Sequence, residues 1–158
     1  MREGAMLEVF IVAFVIVVDQ LTKYLAATHL KPIGSVTLIK GVFHLTYTEN
    51  RGAAFGILQN HRWLFITFAI IAGIIILYYL ISHADESLLL KVSLSLILGG
   101  AIGNLIDRIR LGYVVDMFHF TLIDYPVFNI ADCAVVLGTV LLAYYLLFVS
   151  GKTDKNLN

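Results

Sequence analysis

The sequence predicts an all-α integral membrane protein: four transmembrane helices, with a small extramembrane β element and an amphipathic segment. Two observations carry this. Of 158 residues, 59% are hydrophobic and only 14% are charged, with a mean hydropathy of +0.88; a soluble domain of this length needs far more polar surface to cover its core. Four stretches, at about residues 7–27, 63–81, 88–106 and 131–149, are each long enough for a bilayer core, which takes roughly 20 apolar residues.

The first span follows Arg2 and runs to "LAAT" near its end, which superficially suits a cleaved secretory signal. Asp19 and Lys23 break that pattern and three further spans follow, so a retained helix is expected. Asp19 and Lys23 stand at i and i+4 with the acid N-terminal, the favourable order for a helical pair. The pair either marks the membrane interface or supports a polar site near that face.

Between the first two spans, "SVTLIKGVFHLTYT" has two short β-branched and aromatic runs split at Lys40-Gly41, which reads as a hairpin at the membrane surface. "TENRGAAFGIL" (48–58) follows. Asn50, Gly52 and Gly56 suggest a turn entering an amphipathic piece before Trp63. The Asn50 amide either only shapes that turn or holds a peptide backbone or a carboxylate. The second span, "WLFITFAIIAGIIILYYLI", has no charge, and "SHADES" after it reads as a tight polar turn.

The third span ends "GGAIGNLIDRIRLG". Gly99 and Gly103 form a small-xxx-small pair that lets helices approach closely. Packing does not explain Asn104, Asp107 and Arg108, which share one helical face. Asn104 lies a turn inside the charges and is expected to face protein, not lipid. Arg108 is expected to pair with Asp107 or Asp19.

The last connection holds "VVDMFHFTLIDYPVFNIADC" (114–133), with three aspartates. Asp116 lies in an extended apolar setting that disfavours its charge. Asp124 precedes Tyr125-Pro126 and reads as a turn residue. "NIAD" makes Asn129 an N-cap and Asp132 its N3 partner, which explains both without further function. The chemical alternative pairs Asp116 with Asp132. Two carboxylates sharing a site do not both ionise readily, so one stays an acid while the other serves as base. A proton-relay transporter would instead place its acids mid-membrane on helix interiors, and an assembly protein would need the glycines and the cap alone.

Other classes are excluded. Eleven basic and 11 acidic residues balance, with no basic cluster, which argues against nucleic acid. Cys133 is the only cysteine, so neither an intramolecular disulfide nor a Cys-based zinc site is possible. Histidines 29, 44, 61, 83 and 119 form no HExxH or other close pair in sequence, so a His metal site is not expected. Both long connections emerge on one side and the termini on the other. The long-loop side carries Lys23, Lys31, Lys40, Arg51, Arg62, Arg108 and Arg110, against Arg2, Lys91, Lys152 and Lys155, so a simple positive-inside count places the long loops in the cytoplasm.

In order and spacing, "DQLTK" (19–23), "NRGAAFG" (50–56), "GGAIGNLIDR" (99–108), "VVDMF" (114–118) and "FNIAD" (128–132) resemble the motifs of the lipoprotein signal peptidases, the type II signal peptidases of bacteria. The resemblance implies one polytopic peptidase domain over residues 1–158, an aspartyl intramembrane protease that works as a monomer without cofactor. It implies removal of signal peptides from diacylglyceryl-modified prolipoproteins, just before the lipid-bearing cysteine, with membrane lipid as the other partner. The family's catalytic pair falls on Asp116 and Asp132. Its substrate-binding or supporting residues fall on Asp19, Lys23, Asn50, Gly52, Asn104, Arg108 and Asn129. It also implies a bacterial cytoplasmic membrane location, the site on the outer face and both termini inside, against the charge count. Met117 stands where such proteins usually carry Phe, and Cys133 where Ser is common. Both replacements are close in size, and Cys133 has no His near it in sequence to activate a thiol.

Overall fold

A computed structural model describes residues 3–52, 58–83, 87–123 and 125–150. Residues 53–57 of the expected amphipathic piece, residues 84–86 of the polar turn, and Asp124 lie outside the described residues. Among those described, four helices are long and apolar enough to cross a membrane, at Ala5–Leu30, Arg62–Ser82, Leu88–Arg110 and Ile130–Val149. They comprise α1 (Glu3–Leu25) with a π-helical extension (Ala26–Leu30), α2 (Arg62–Ser82), α3 (Leu88–Arg110), and α4 (Ile130–Tyr144), which continues as a π-helical turn (Tyr145–Val149).

The hairpin expected around Lys40-Gly41 is present: β1 (Ser35–Ile39) pairs antiparallel with β2 (Phe43–Asn50). Gly41 has φ +72° at the turn, a conformation that suits glycine. The sequence did not reveal the third strand, β3 (Val114–Phe120), which completes the sheet in the order β1-β2-β3. Its register places Asp116 opposite Thr48 and Val114 opposite Asn50. Phe128 bridges back onto Phe118, so the chain folds over β3 before α4 begins. The sheet thereby fixes Asp116 beside the end of β2 and close to the start of α4.

Helix α3 is the most buried of the four, and small residues let its neighbours close on it. A Cβ on Gly99 would stand 2.9 Å from the Val15 Cβ of α1. One on Gly103 would stand 2.6 Å from the Asp19 carboxylate and 3.3 Å from the Ala131 Cβ. One on Gly100 would collide with the Ala131 carbonyl oxygen at the start of α4 and lie 2.8 Å from Val135 Cγ2. At the end of the bundle nearer the termini, Lys91 of α3 pairs with Glu8 of α1 at 3.8 Å. The third span runs further than the sequence suggested, to Arg110 rather than 106, because Asp107 is buried against protein partners and does not need water.

Gly100→Ala is therefore expected to destabilise the protein by about 1–3 kcal/mol, the usual penalty for overpacking. The added methyl meets backbone, which has no rotamer to yield. A lower thermal midpoint in detergent checks this, and an unchanged midpoint would show that α3 and α4 can separate freely at this point.

Candidate active site

The site is built in two tiers at the end of the bundle that carries the sheet. The lower tier centres on Lys23, which is 3% exposed. Its ammonium group donates to Asp19 Oδ2 at 2.9 Å and Asp107 Oδ2 at 3.2 Å, and to Asn104 Oδ1 at 2.8 Å. An ammonium has three hydrogens, so this accounts for all of them. The two carboxylates are matched in the same way. Asp19 also accepts from Gln20 and, through Oδ1, from the Ala131 backbone N–H at 2.9 Å. Asp107 accepts from Gln20 at 3.0 Å and from the Val115 backbone N–H at 3.0 Å. Asp19 thus holds the first turn of α4, and Asp107 holds the residue preceding Asp116.

Asp19 and Lys23 are no solvated interfacial pair: Asp19 is fully buried and Lys23 nearly so. Arg108 departs from expectation as well. Asp19 and Asp107 are taken by Lys23, and Arg108 donates instead to the carbonyls of Asn104 at 3.5 Å and Gly52 at 3.4 Å. Its guanidinium lies 4.9 Å from the centre of the Phe65 ring. It therefore joins α3 to the Asn50–Gly52 turn and to α2. Asp107 and Gln20 were absent from the sequence-derived set. Asp107 stands beside Arg108 and invites pairing with it, and only the position of β3 reveals its true partners.

The upper tier is a chain of amides between two carboxylates. Asn129 Nδ2 donates to Asp116 Oδ1 at 2.6 Å and to Asn104 Oδ1 at 3.2 Å. Asn50 Nδ2 donates to Asp116 Oδ2 at 3.0 Å. Asn104 Nδ2 donates to Asp132 Oδ1 at 2.8 Å. The capping box is complete: Asn129 Oδ1 accepts from the Asp132 N–H at 2.9 Å, and Asp132 Oδ2 accepts from the Asn129 N–H at 3.2 Å. Asp132 can therefore start α4 with one oxygen while Asn104 holds the other. Asn50 also combines both readings open to it, because its Oδ1 accepts from Gly52 N–H in a local turn while its amide group holds Asp116.

Asp116 is 1% exposed. Burial, and secondarily the charge of Asp132, push its carboxyl up to about 7, against the opposing pull of the Asn50 and Asn129 amides and the more distant Lys23. The side chain of Cys133 is exposed.

Four membrane-length helices and, at one end, two carboxylates joined through asparagine amides define a polytopic membrane protein with a paired-carboxylate site. The comparisons make the class specific. Residues 11–148 match the family model of signal peptidase (SPase) II. The chain is 53% identical over 143 residues to the lipoprotein signal peptidase of Caldanaerobacter subterraneus subsp. tengcongensis, covering 90% of this chain and 97% of that one. It is 48% identical over 148 residues to the lipoprotein signal peptidase of Clostridioides difficile, covering 94% and 99%. A solved structure described as a bacterial membrane enzyme superposes with a TM-score of 0.84 at 38% identity, covering 93% of this chain and 90% of the other. The chain belongs to the signal peptidase II family.

Proposed function

We propose that this protein removes signal peptides from diacylglyceryl-modified prolipoproteins, with Asp116 and Asp132 as its catalytic pair. The observation that supports the assignment is the chain of amides between the two carboxylates, in which Asn129 Nδ2 donates to Asp116 and to Asn104 Oδ1, and Asn104 Nδ2 donates to Asp132. The ionised member of the pair takes a proton from water, which attacks the scissile carbonyl. The protonated member stabilises the tetrahedral oxygen and then protonates the leaving amine. Asn50 and Asn104 each hold one carboxylate in place. Lys23, Asp19 and Arg108 fix the helices and turn that carry them, and Gly52 links Asn50 to Arg108.

The substrate enters sideways from the bilayer, with its acyl chains along apolar grooves. An apolar cleft of about 420 Å³ between the end of α1 and the sheet, lined by Ala26, Leu30, Val36, Leu45 and Met117, suits such a chain beside Asp116. The protein acts as a monomer, with residues 1–158 as one domain. The site faces the outer side of a bacterial cytoplasmic membrane and both termini face inward. The contrary charge count loses force because Lys23 and Arg108 belong to the site, Lys31 and Arg51 are bound to Glu49, and Arg62 donates to the Ile109 carbonyl.

Incubating the purified protein in detergent with a lipidated prolipoprotein tests this. A product shortened to the lipid-bearing cysteine is expected; a lipidated precursor left intact would refute the proposal. The pH dependence is expected to follow Asp116. Because its carboxyl is raised to about 7, the pair holds a proton below that pH and loses it above, so kcat/KM should fall on the alkaline side of neutrality. The limb belongs to the pair as a unit. The Asn50 amide favours the ionised form, so Asn50→Ala should move that limb to higher pH. A shift to lower pH would contradict the assignment.

A further inference from the structure

Sequence spacing separates His44 from His119, but the sheet brings them together. They are direct register partners on β2 and β3, with ring centres 6.4 Å apart and planes at 64°. The same face of the sheet carries Ser35, Thr37 and Thr46, placed there by their pairing register. Thr37 Oγ1 lies 3.5 Å from His44 Nδ1 and Thr46 Oγ1 lies 3.5 Å from His119 Nδ1. Ser35 Oγ in turn meets Thr46 Oγ1 at 2.9 Å. An oxygen partner near Nδ1 favours one orientation of an imidazole, and a neutral imidazole with Nδ1 protonated offers Nε2 as its metal ligand.

We propose that His44 and His119 form a two-imidazole site for a divalent transition-metal ion of the copper, nickel or zinc kind, with water completing its coordination. Imidazole suits these ions and not the oxygen-seeking calcium or magnesium. A metal held about 2 Å beyond a ring nitrogen lies roughly 3.2 Å from the ring centre, so two rings on one tetrahedral ion have centres roughly 5 Å apart. The observed separation is about 1 Å wider, a closure that small side-chain rotations supply without backbone movement. Both residues are half-buried, so the ion can enter from solvent. Two imidazoles are the protein ligands of the proposed site. The pair lies outside the aspartate site and does not depend on the reaction proposed for that site.

The test uses the full chain in detergent, carrying no polyhistidine tag. Copper(II) is added and its electron paramagnetic resonance spectrum recorded, with nickel(II) affinity measured by calorimetry. One ion per chain with two nitrogen ligands is expected. His44→Ala and His119→Ala should each weaken nickel binding at least about tenfold, because the second imidazole acts at high effective concentration. His61→Ala and His83→Ala should leave binding unchanged. An unchanged thermal midpoint in detergent shows that the variants fold, and His44→Gln and His119→Gln serve should an alanine variant fail. No binding, a one-nitrogen spectrum, or affinity unaffected by His44 or His119 replacement would overturn the proposal.

Discussion

Asp116→Asn and Asp132→Asn are each expected to lower cleavage of a lipidated prolipoprotein at least about 10³-fold, the scale of losing a positioned acid or base. Asparagine makes the test selective because it preserves shape and one of the two accepting oxygens while removing the titratable group. At position 116 the amide oxygen can still accept from Asn129 Nδ2, which now meets Asp116 at 2.6 Å, while the new NH2 faces the Asn50 amide, itself a donor at 3.0 Å, so that one contact is lost. At position 132 the amide oxygen can still accept the Asn129 N–H and keep the capping box. Were Asp132 only a cap, its asparagine variant would keep nearly full activity, with at most about 0.5–2 kcal/mol of helix stability lost. A variant that melts like the parent but does not cleave assigns chemistry to the carboxylate. Asp124→Asn is the control and should retain most activity; its inactivation would mean that the wrong aspartates were paired.

How much of this was legible depended on the range of the interactions. The four spans follow from hydropathy, and the hairpin from the Lys40-Gly41 break between β-branched runs. The capping box lies within four consecutive residues and was readable as written. β3 was not. Its pairing with β2 joins residues about 70 positions apart, so no local signal announces it. The position of Asp107 depends on β3, since its carboxylate binds the Val115 N–H. Missing the strand therefore meant missing the residue, and it left Arg108 with the wrong partner. The same register hid the His44–His119 pair. The aspartates were visible as oddities in an apolar stretch, but only three-dimensional placement supplies the bond from the Asn129 amide to Asp116.

Lys23→Met should produce the largest loss of stability, about 3–5 kcal/mol, the range for removing one partner of a buried ion pair. Methionine fills similar volume, so the effect comes from charge and not from a cavity. Asp19 and Asp107, 0% and 3% exposed, would then face each other across the site with Gln20 and two backbone N–H groups as their remaining donors. Asn104 Oδ1 would also lose its 2.8 Å contact with the ammonium, which now favours the amide orientation that presents Nδ2 to Asp132. The triple variant Asp19→Asn, Lys23→Met, Asp107→Asn removes all three charges together and should recover much of the thermal midpoint, because no unpaired buried charge remains. Its cleavage rate should stay well below that of the parent, because the shorter of the two contacts that orient Asn104 Oδ1 is still missing. Recovery of both midpoint and rate would reduce Lys23 to a counterion. Recovery of neither would show that Ala131 and Val115 need charged acceptors to hold α4 and β3 in place. Recovery of the midpoint alone separates the two tiers: the lower holds the helices together, and through Asn104 it aims an amide at Asp132.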